Sequence, residues 1–188
     1  MANLAEIEAE ARGCVACELA TGRTKVVFSG GSPGSALMFV GEAPGRDEDL
    51  VGEPFVGRSG RFLDRLVADE LGMARRDYYI CNVVKCRPPN NRDPLPAEVA
   101  ACRHFLDSQL DLVAPKVVVT LGNFAARTLL QTTEGVTRLR GRTYSFGGKV
   151  LVPTFHPAAA LRGGGVVVAQ MRADLVRAKR ALATGATP

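Results

Sequence analysis

The sequence lacks long hydrophobic runs, a basic leader and an even number of cysteines. No apolar stretch approaches the roughly 18 residues of a membrane-spanning helix. The longest ones, residues 36–40 and 117–121, have the length of strands. Near the N-terminus, Glu6, Glu8 and Glu10 stand where a signal peptide would carry basic and apolar residues. We therefore expect a cytoplasmic protein without a membrane segment.

The sequence also lacks internal repeats and low-complexity linkers, so residues 1–188 are predicted to form a single domain. Short apolar segments typical of strands alternate with amphipathic segments typical of helices. This alternation predicts an α/β fold in which a mainly parallel central sheet is covered by helices on both faces, a three-layer α/β/α sandwich. The predicted strands are residues 36–40, 78–85, 116–121, 144–146 and 150–154.

Five cysteines are an odd number, which disfavours a closed disulfide framework, as does a reducing cytoplasm. Cys14 and Cys17 form a C-x2-C pair, whereas Cys86 and Cys102 are far apart in the sequence. Four thiolates usually indicate a metal site, and because the second pair is not a zinc-type knuckle, an iron–sulfur cluster is favoured over zinc. The alternative is that the cysteines pack as small hydrophobic residues, above all Cys102 on the apolar face of its helix. Cys81 lies inside a predicted strand and is interpreted as a core residue.

Positive charge is concentrated toward the C-terminus. The formal net charge of the chain is +5, but residues 138–180 contain nine Lys or Arg residues against one acid, Asp174. A basic region of this kind attracts polyanions through electrostatic steering and counterion release. The alternative is a solvated helix face rich in arginine.

Unusual loops follow three of the predicted strands. They are residues 41–45, residues 85–94 and the turn that begins with His156. In open α/β sheets, ligands bind outside the carboxyl ends of the strands. We therefore expect a functional site where these three loops meet.

Four short motifs lie in and around these loops. In chain order they are Gly41-Glu42-Ala43-Pro44-Gly45 with Glu48-Asp49, Pro54-Phe55-Val56-Gly57-Arg58-Ser59-Gly60, Asn82-Val83-Val84-Lys85-Cys86-Arg87-Pro88-Pro89 with Asn90-Asn91-Arg92-Asp93-Pro94, and His156-Pro157-Ala158-Ala159. Their order and spacing resemble those of the family 4 uracil-DNA glycosylases, the bacterial and archaeal iron–sulfur members of the uracil-DNA glycosylase superfamily. Together with the four cysteines, the motifs are highly specific.

The resemblance implies a four-stranded parallel sheet between helices, excision of uracil from DNA, and a [4Fe–4S] cluster. The cluster ligands would be Cys14, Cys17, Cys86 and Cys102, which leaves Cys81 outside. We expect a bacterial or archaeal, nucleoid-associated protein that acts as a monomer on uracil-containing DNA without an obligate protein partner.

Excision requires that uracil be flipped into a pocket. The pocket needs an aromatic side chain on which the base stacks, a group that hydrogen-bonds its Watson–Crick edge, and a group that stabilises the leaving base. The family match suggests Phe55 as the platform, and the amide of Asn82 suits the N3–H and O4 of uracil. We expect His156 to donate to uracil O2, where negative charge develops. Glu42 is the candidate for holding or activating water, and the backbone from Gly41 to Ala43 would line the pocket.

Contacts to DNA are expected from three segments. Exposed N–H groups at the start of a helix suit a phosphate, and a basic loop beside Cys86 would contact the DNA backbone. A side chain just past the His-Pro turn would fill the gap left by the flipped base, in a loop made adaptable by residues 163–165. The predicted DNA-binding residues are Ser59, Gly60, Lys85, Arg87, Arg92, Leu161 and Arg162.

Three other functions remain open at this point. A superfamily relative that captures uracil-DNA covalently would carry Gln in place of Ala43 and a histidine within residues 86–94, and this sequence has neither. A non-catalytic nucleic-acid-binding module held by zinc or iron–sulfur would leave Glu42, Asn82 and His156 without a role. An electron carrier would need only a small part of this fold.

Overall fold

The computed structural model describes residues 3–184. Over that range the chain forms one six-stranded sheet in the order β1-β3-β2-β4-β6-β5. Its strands are β1 (Gly30–Gly31), β2 (Leu37–Gly41), β3 (Tyr79–Asn82), β4 (Val117–Leu121), β5 (Tyr144–Phe146) and β6 (Lys149–Thr154). The prediction of an α/β class is confirmed. The predicted single domain also includes positions 1–2 and 185–188, which lie outside the described residues.

The sheet has six strands rather than the four that were predicted. Strands β3, β2, β4 and β6 are parallel neighbours, and the short strands β1 and β5 extend the two edges in the antiparallel direction. Strand β1 consists of Gly30 and Gly31 alone and is not among the predicted strands. Gly31 has a φ of +82°, and a Cβ there would overlap the carbonyl oxygen of Tyr78. This edge therefore depends on backbone pairing and not on an apolar pattern.

Both faces of the sheet are buried. In β2, Met38 and Val40 belong to one core cluster, whereas Leu37 and Phe39 belong to the other. Successive side chains of a strand point to opposite faces, so a strand buried on both sides has a continuous apolar sequence. This explains why the central strands appear in the sequence as short, unbroken hydrophobic runs.

Helices α1, α5 and α6 contribute to the first cluster, and α4 and α8 to the second. The eight α-helices of the described range are α1 (Leu4–Gly13), α2 (Leu19–Gly22), α3 (Arg46–Val51), α4 (Arg58–Leu71), α5 (Pro96–Val113), α6 (Asn123–Leu130), α7 (Val136–Leu139) and α8 (Pro157–Thr184). None of these helices combines the length and the apolar character needed to cross a bilayer. Helix α5 begins at Pro96, whose missing N–H is tolerated in the first turn.

Helix α8 begins directly after His156 and contains one break. Gly164 has a φ of +70° and a ψ of −163°, which interrupts the helix between two helical segments. The segment 163–165, predicted to be an adaptable loop, is therefore part of α8, and within it Gly164 leaves the helical conformation. A Cβ added to Gly163 would lie 2.6 Å from Cγ2 of Val167, so the two helical segments are in contact across the break.

Candidate active site and cysteine site

The carboxyl ends of the parallel strands bring the predicted pocket residues together. Gly41 ends β2 and is paired in register with Asn82, which ends β3. His156 follows β6 and lies against Gly122, where an added Cβ would be 3.1 Å from His156 Cβ. The ring centroids of Phe55 and His156 are 5.8 Å apart. The expected meeting of loops at this edge of the sheet is thus present.

Asn82 carries an unpartnered polar atom in the interior of the protein. The residue is 1 % exposed, and its Oδ1 has no hydrogen-bond partner among the described residues. Leaving a buried acceptor unpaired costs about 1–3 kcal/mol. A ligand that presents an N–H group at this position would remove that penalty.

Glycine at position 41 allows Phe55 and Asn82 to approach each other. A Cβ on Gly41 would lie 2.6 Å from Phe55 Cζ and closer still to Asn82 Oδ1. Phe55 itself has a φ of +57°, a left-handed conformation that is unfavourable for a bulky side chain. Glycine at position 60 makes room for this conformation of Phe55, because a Cβ at Gly60 would overlap the Phe55 carbonyl oxygen. The aromatic ring is therefore held rigidly beside the amide.

His156 is arranged as a neutral hydrogen-bond donor. Its Nδ1 accepts a hydrogen bond from the backbone N–H of Ala158 at 3.2 Å, which assigns the ring proton to Nε2. Burial, assisted by the positive charge of Arg162, lowers the pKa of His156 to about 4. At neutral pH the imidazole can therefore donate through Nε2 without carrying a charge.

Glu42 has an unusual protonation behaviour. Burial, together with charge repulsion and a hydrogen bond from the neighbouring Asp93 carboxylate, raises its pKa to about 7. Asp93 was not singled out from the sequence, because a loop carboxylate follows no periodic pattern. The Glu42–Asp93 pair places an acid that titrates near neutral pH at the rim of the pocket.

Glu48 has a structural role in the same region. Its carboxylate accepts hydrogen bonds from the backbone N–H groups of Gly45, Val56 and Gly57 at 3.0–3.1 Å. These bonds connect the turn after β2 to the loop that carries Phe55. Glu48 therefore fixes the pocket geometry.

The predicted DNA-binding residues are distributed unevenly. Ser59 and Gly60 lie in the first turn of α4, where backbone N–H groups lack intrahelical partners. Arg162 is exposed and Leu161 is partly exposed in the first segment of α8. Arg92 forms a bidentate ion pair with Glu98, in which Nη1 and Nη2 donate to the two carboxylate oxygens at 2.9 and 2.6 Å. This pairing leaves the guanidinium less free to contact a phosphate. Arg87 is half-buried and donates to Asn91 Oδ1 at 2.7 Å.

The prediction that Lys85 contacts DNA is inconsistent with the structure. Its side chain is 1 % exposed and points into the core. The ammonium nitrogen donates to the Asn82 carbonyl at 2.6 Å and to Gln109 Oε1 at 2.5 Å. A side chain enclosed in this way cannot reach a phosphate at the surface.

The basic C-terminal segment is partly neutralised within the chain. Asp174 is fully buried and pairs with Arg140 at 2.8 Å and with Arg177 at 3.4 Å. Thr154 donates to the same carboxylate at 2.9 Å, so this network also ties the end of β6 to α8. Arg172 binds two acids of α4. The charge count along the sequence therefore overestimates the free positive charge of this segment.

The four predicted metal ligands line one cavity. Cys14 and Cys17 follow α1, Cys86 follows β3, and Cys102 lies on α5. Cys81 packs in the core and is not among the lining residues. Within residues 3–184, no three His, Cys, Asp or Glu side chains are arranged to share a single metal ion.

Hydrogen-bond donors surround the sulfur atoms. Arg23 Nη1 donates to Cys86 Sγ at 3.4 Å and to the Cys14 carbonyl at 2.7 Å, and the Lys85 backbone N–H donates to Cys102 Sγ at 3.3 Å. Burial, opposed in part by the positive charge of Lys85, raises the pKa of the Cys102 thiol to about 11. Cluster binding would therefore have to displace protons from the thiols. Arg23 was missed in the sequence because its contact with Cys86 spans 63 positions.

Comparison with known proteins identifies the family. The residue pattern described as "Uracil DNA glycosylase superfamily" matches residues 28–178. The chain belongs to this superfamily. Within it, the chain is 48 % identical over 163 residues to the type-4 uracil-DNA glycosylase of Thermotoga maritima, covering 85 % of this chain and 84 % of that protein. The resemblance to family 4 inferred from the motifs is thus confirmed.

Archaeal members of the superfamily show a similar relationship. The type-4 uracil-DNA glycosylase of Archaeoglobus fulgidus is 44 % identical, covering 86 % of this chain and 84 % of that protein. The enzyme of the same name from Sulfurisphaera tokodaii is 43 % identical, with 86 % and 77 % covered. The fold also resembles the solution NMR structure of a Methanosarcina acetivorans protein, with a TM-score of 0.54 and 14 % identity, covering 83 % of this chain and 98 % of that one.

Proposed function

We propose that this superfamily member is a uracil-DNA glycosylase that hydrolyses the N-glycosidic bond of deoxyuridine in single- or double-stranded DNA. It would release uracil and leave an abasic site without cutting the strand. The observation that carries the proposal is the unpartnered Asn82 Oδ1, buried beside Phe55 and near the donor His156. Relatives named type-4 uracil-DNA glycosylase at 43–48 % identity support the same reaction.

The pocket residues suit the successive needs of the reaction. A flipped uracil would stack on Phe55, while Asn82 Oδ1 accepts from N3–H and its amide N–H donates to O4. As the C–N bond breaks, negative charge develops on uracil O2, and the His156 Nε2–H would stabilise it. Because the imidazole is already neutral and fixed by Ala158, little reorganisation is needed at that moment.

Water would attack the sugar carbon from the side of Glu42 and the backbone of residues 41–43. Only the ionised form of Glu42 can accept a proton from that water. All these groups come from one chain, which supports a single-domain protein that acts as a monomer.

Uracil release is tested with a labelled oligonucleotide that contains one deoxyuridine, and an otherwise identical strand with thymidine serves as the control. We expect strand cleavage only after alkali treatment and only with deoxyuridine. The absence of abasic product from iron-loaded protein would overturn the proposal. DNA that stays attached to the protein would instead indicate covalent capture.

The cysteine site fits a [4Fe–4S] cluster held by Cys14, Cys17, Cys86 and Cys102. One cavity is lined by all four thiols, and the relatives named type-4 uracil-DNA glycosylase support a cluster there. Such a cluster would join the segment after α1, the loop after β3 and helix α5. In this proposal, the protein residues of the pocket carry out the chemistry, and the cluster holds their loops in place.

Replacing one ligand should abolish cluster binding. We expect Cys86→Ser protein to lose the brown colour and the bound iron and sulfide. Cys81→Ser is the matched control, because Cys81 is also buried but lies outside the cavity, and it should retain the iron. Metal analysis by mass spectrometry and visible absorbance would measure both. Stoichiometric zinc in the wild type, or equal iron in the two variants, would contradict this assignment.

The pH dependence of excision should report on Glu42. Its raised pKa means that Glu42 is largely protonated below about pH 7, so the rate should rise as the pH increases from 6 to 8. Glu42→Gln should lower the rate and flatten this rise. Asp93→Asn removes the nearby negative charge and should move the midpoint to lower pH, whereas Glu53→Gln at an exposed position should not. An unchanged midpoint in Asp93→Asn single-turnover kinetics would rule out this coupling.

A further inference from the structure

The proposed reaction leaves the buried ammonium group of Lys85 unexplained. Lysine is rarely fully buried without a charged partner, because an uncompensated buried charge is strongly unfavourable. The Lys85 side chain is 1 % exposed, and no carboxylate within residues 3–184 forms an ion pair with it. The partners of its ammonium among the described residues are neutral: two carbonyl oxygens, the Cys81 thiol and the Phe28 ring, whose centroid is 5.9 Å from Nζ.

The hydrogen bonds of Lys85 lead directly to the uracil pocket. Its Nζ donates to the backbone carbonyl of Asn82 and to Gln109 Oε1. Gln109 is itself fixed, because its Nε2 donates to the Phe28 carbonyl and to the Tyr79 hydroxyl at 3.0 Å each. The ammonium therefore closes the chain from Asn82 to Lys85 into a tight loop and holds the backbone of the residue that reads uracil.

The same residue also touches the cysteine site. The Lys85 backbone N–H donates to Cys102 Sγ, and Cys86 is the next residue in the chain. A cluster bound by four thiolates carries negative charge. Thiolates at Cys86 and Cys102 would place this negative charge on the other side of the same short segment, where Lys85 already interacts electrostatically with Cys102.

We propose that Lys85 is a positioning residue that couples the cysteine site to Asn82, its buried positive charge being compensated by the thiolates of the cluster. This inference rests on the proposed function, since it assumes that Asn82 reads uracil. It explains why a lysine in a basic loop points inward instead of toward DNA. A side chain that only completed the core would need no charge at this position.

A double-mutant cycle tests the link to Asn82. Lys85→Met should lower kcat/KM for uracil excision on the order of ten- to hundredfold while iron is retained, as expected for the loss of a charged hydrogen bond. In an Asn82→Ala background the same change should have no further effect, because the group it positions is gone. Lys116→Met, at an exposed lysine, is the matched control and should leave excision unchanged. Additive losses, or full activity in Lys85→Met, would overturn the link.

The reduction potential of the cluster provides a second test that needs no DNA. Removing a nearby positive charge should make the potential more negative in Lys85→Met and leave it unchanged in Lys116→Met. Gln109→Glu, which is nearly isosteric, should shift it in the same direction by placing a carboxylate beside the ammonium, even if Lys85→Met does not fold. An unchanged potential in Gln109→Glu would refute the charge compensation. Because this readout does not depend on uracil excision, it separates failure of this inference from failure of the proposed function.

Discussion

Asn82→Ala protein should lose uracil excision by roughly 10³-fold or more, with no matching loss of stability. A site built to hydrogen-bond a ligand loses discrimination of about this size when the bonding groups are absent. The wild-type protein already leaves Asn82 Oδ1 unpaired in its interior, so removing the amide also removes a folding penalty. The measurement is single-turnover cleavage of a deoxyuridine strand, together with the melting temperature of both proteins.

Thr120 offers a matched control for this prediction. It is also fully buried and also has an unpartnered side-chain oxygen within the described residues, but it lies inside β4 and not at a strand end. Thr120→Val should therefore keep full excision activity. If Asn82→Ala were strongly destabilised and its activity loss matched the unfolded fraction, Asn82 would be a structural residue and the pocket assignment would fail.

His156→Ala protein should be slower by roughly 10²–10³-fold, the effect seen when one donor to a developing oxyanion is removed. The loss should appear in kcat more than in KM, because the hydrogen bond to uracil O2 strengthens as charge develops. The imidazole of His156 should titrate near pH 4, as followed by NMR. A decrease in rate between pH 7 and pH 5 would consequently arise from Glu42 and not from His156.

The second histidine in the sequence serves as the control. His104 is exposed on α5, where its Nε2 contacts the Glu10 carboxylate of α1 at 3.1 Å. His104→Ala should excise uracil at the wild-type rate. Equal activity of the two variants would show that His156 does not act on the leaving base.

Much of the sheet could be predicted from residue order because its strands are buried on both faces. Residues 36–40 and 116–121 have the unbroken apolar character that parallel strands require, and they overlap β2 and β4. The pocket could be located for the same reason. Parallel strands place the loops after their carboxyl ends side by side, so Gly41, Asn82 and His156 meet although they are distant in the chain.

The remaining features depend on contacts that leave no local pattern. The Lys85 side chain points into the core because its ammonium donates to Gln109, which lies 24 positions later on α5. The location of Lys85 in a basic loop was therefore misleading. The pKa of Glu42 depends on Asp93 from another loop. Strand β1 is formed by two glycines whose pairing uses only backbone atoms. Each of these features becomes visible only when distant segments are in contact.

The glycines of the pocket have a consequence for how this enzyme family could change its target base. The Phe55 ring and the Asn82 amide occupy the space that a side chain at Gly41 would need, and the Phe55 carbonyl occupies the space beside Gly60. A side chain added at Gly41 or Gly60 would therefore collide with a neighbouring residue. A larger residue at either glycine would need a compensating change in the neighbour that it meets, so the shape of the base pocket resists change by one substitution at a time.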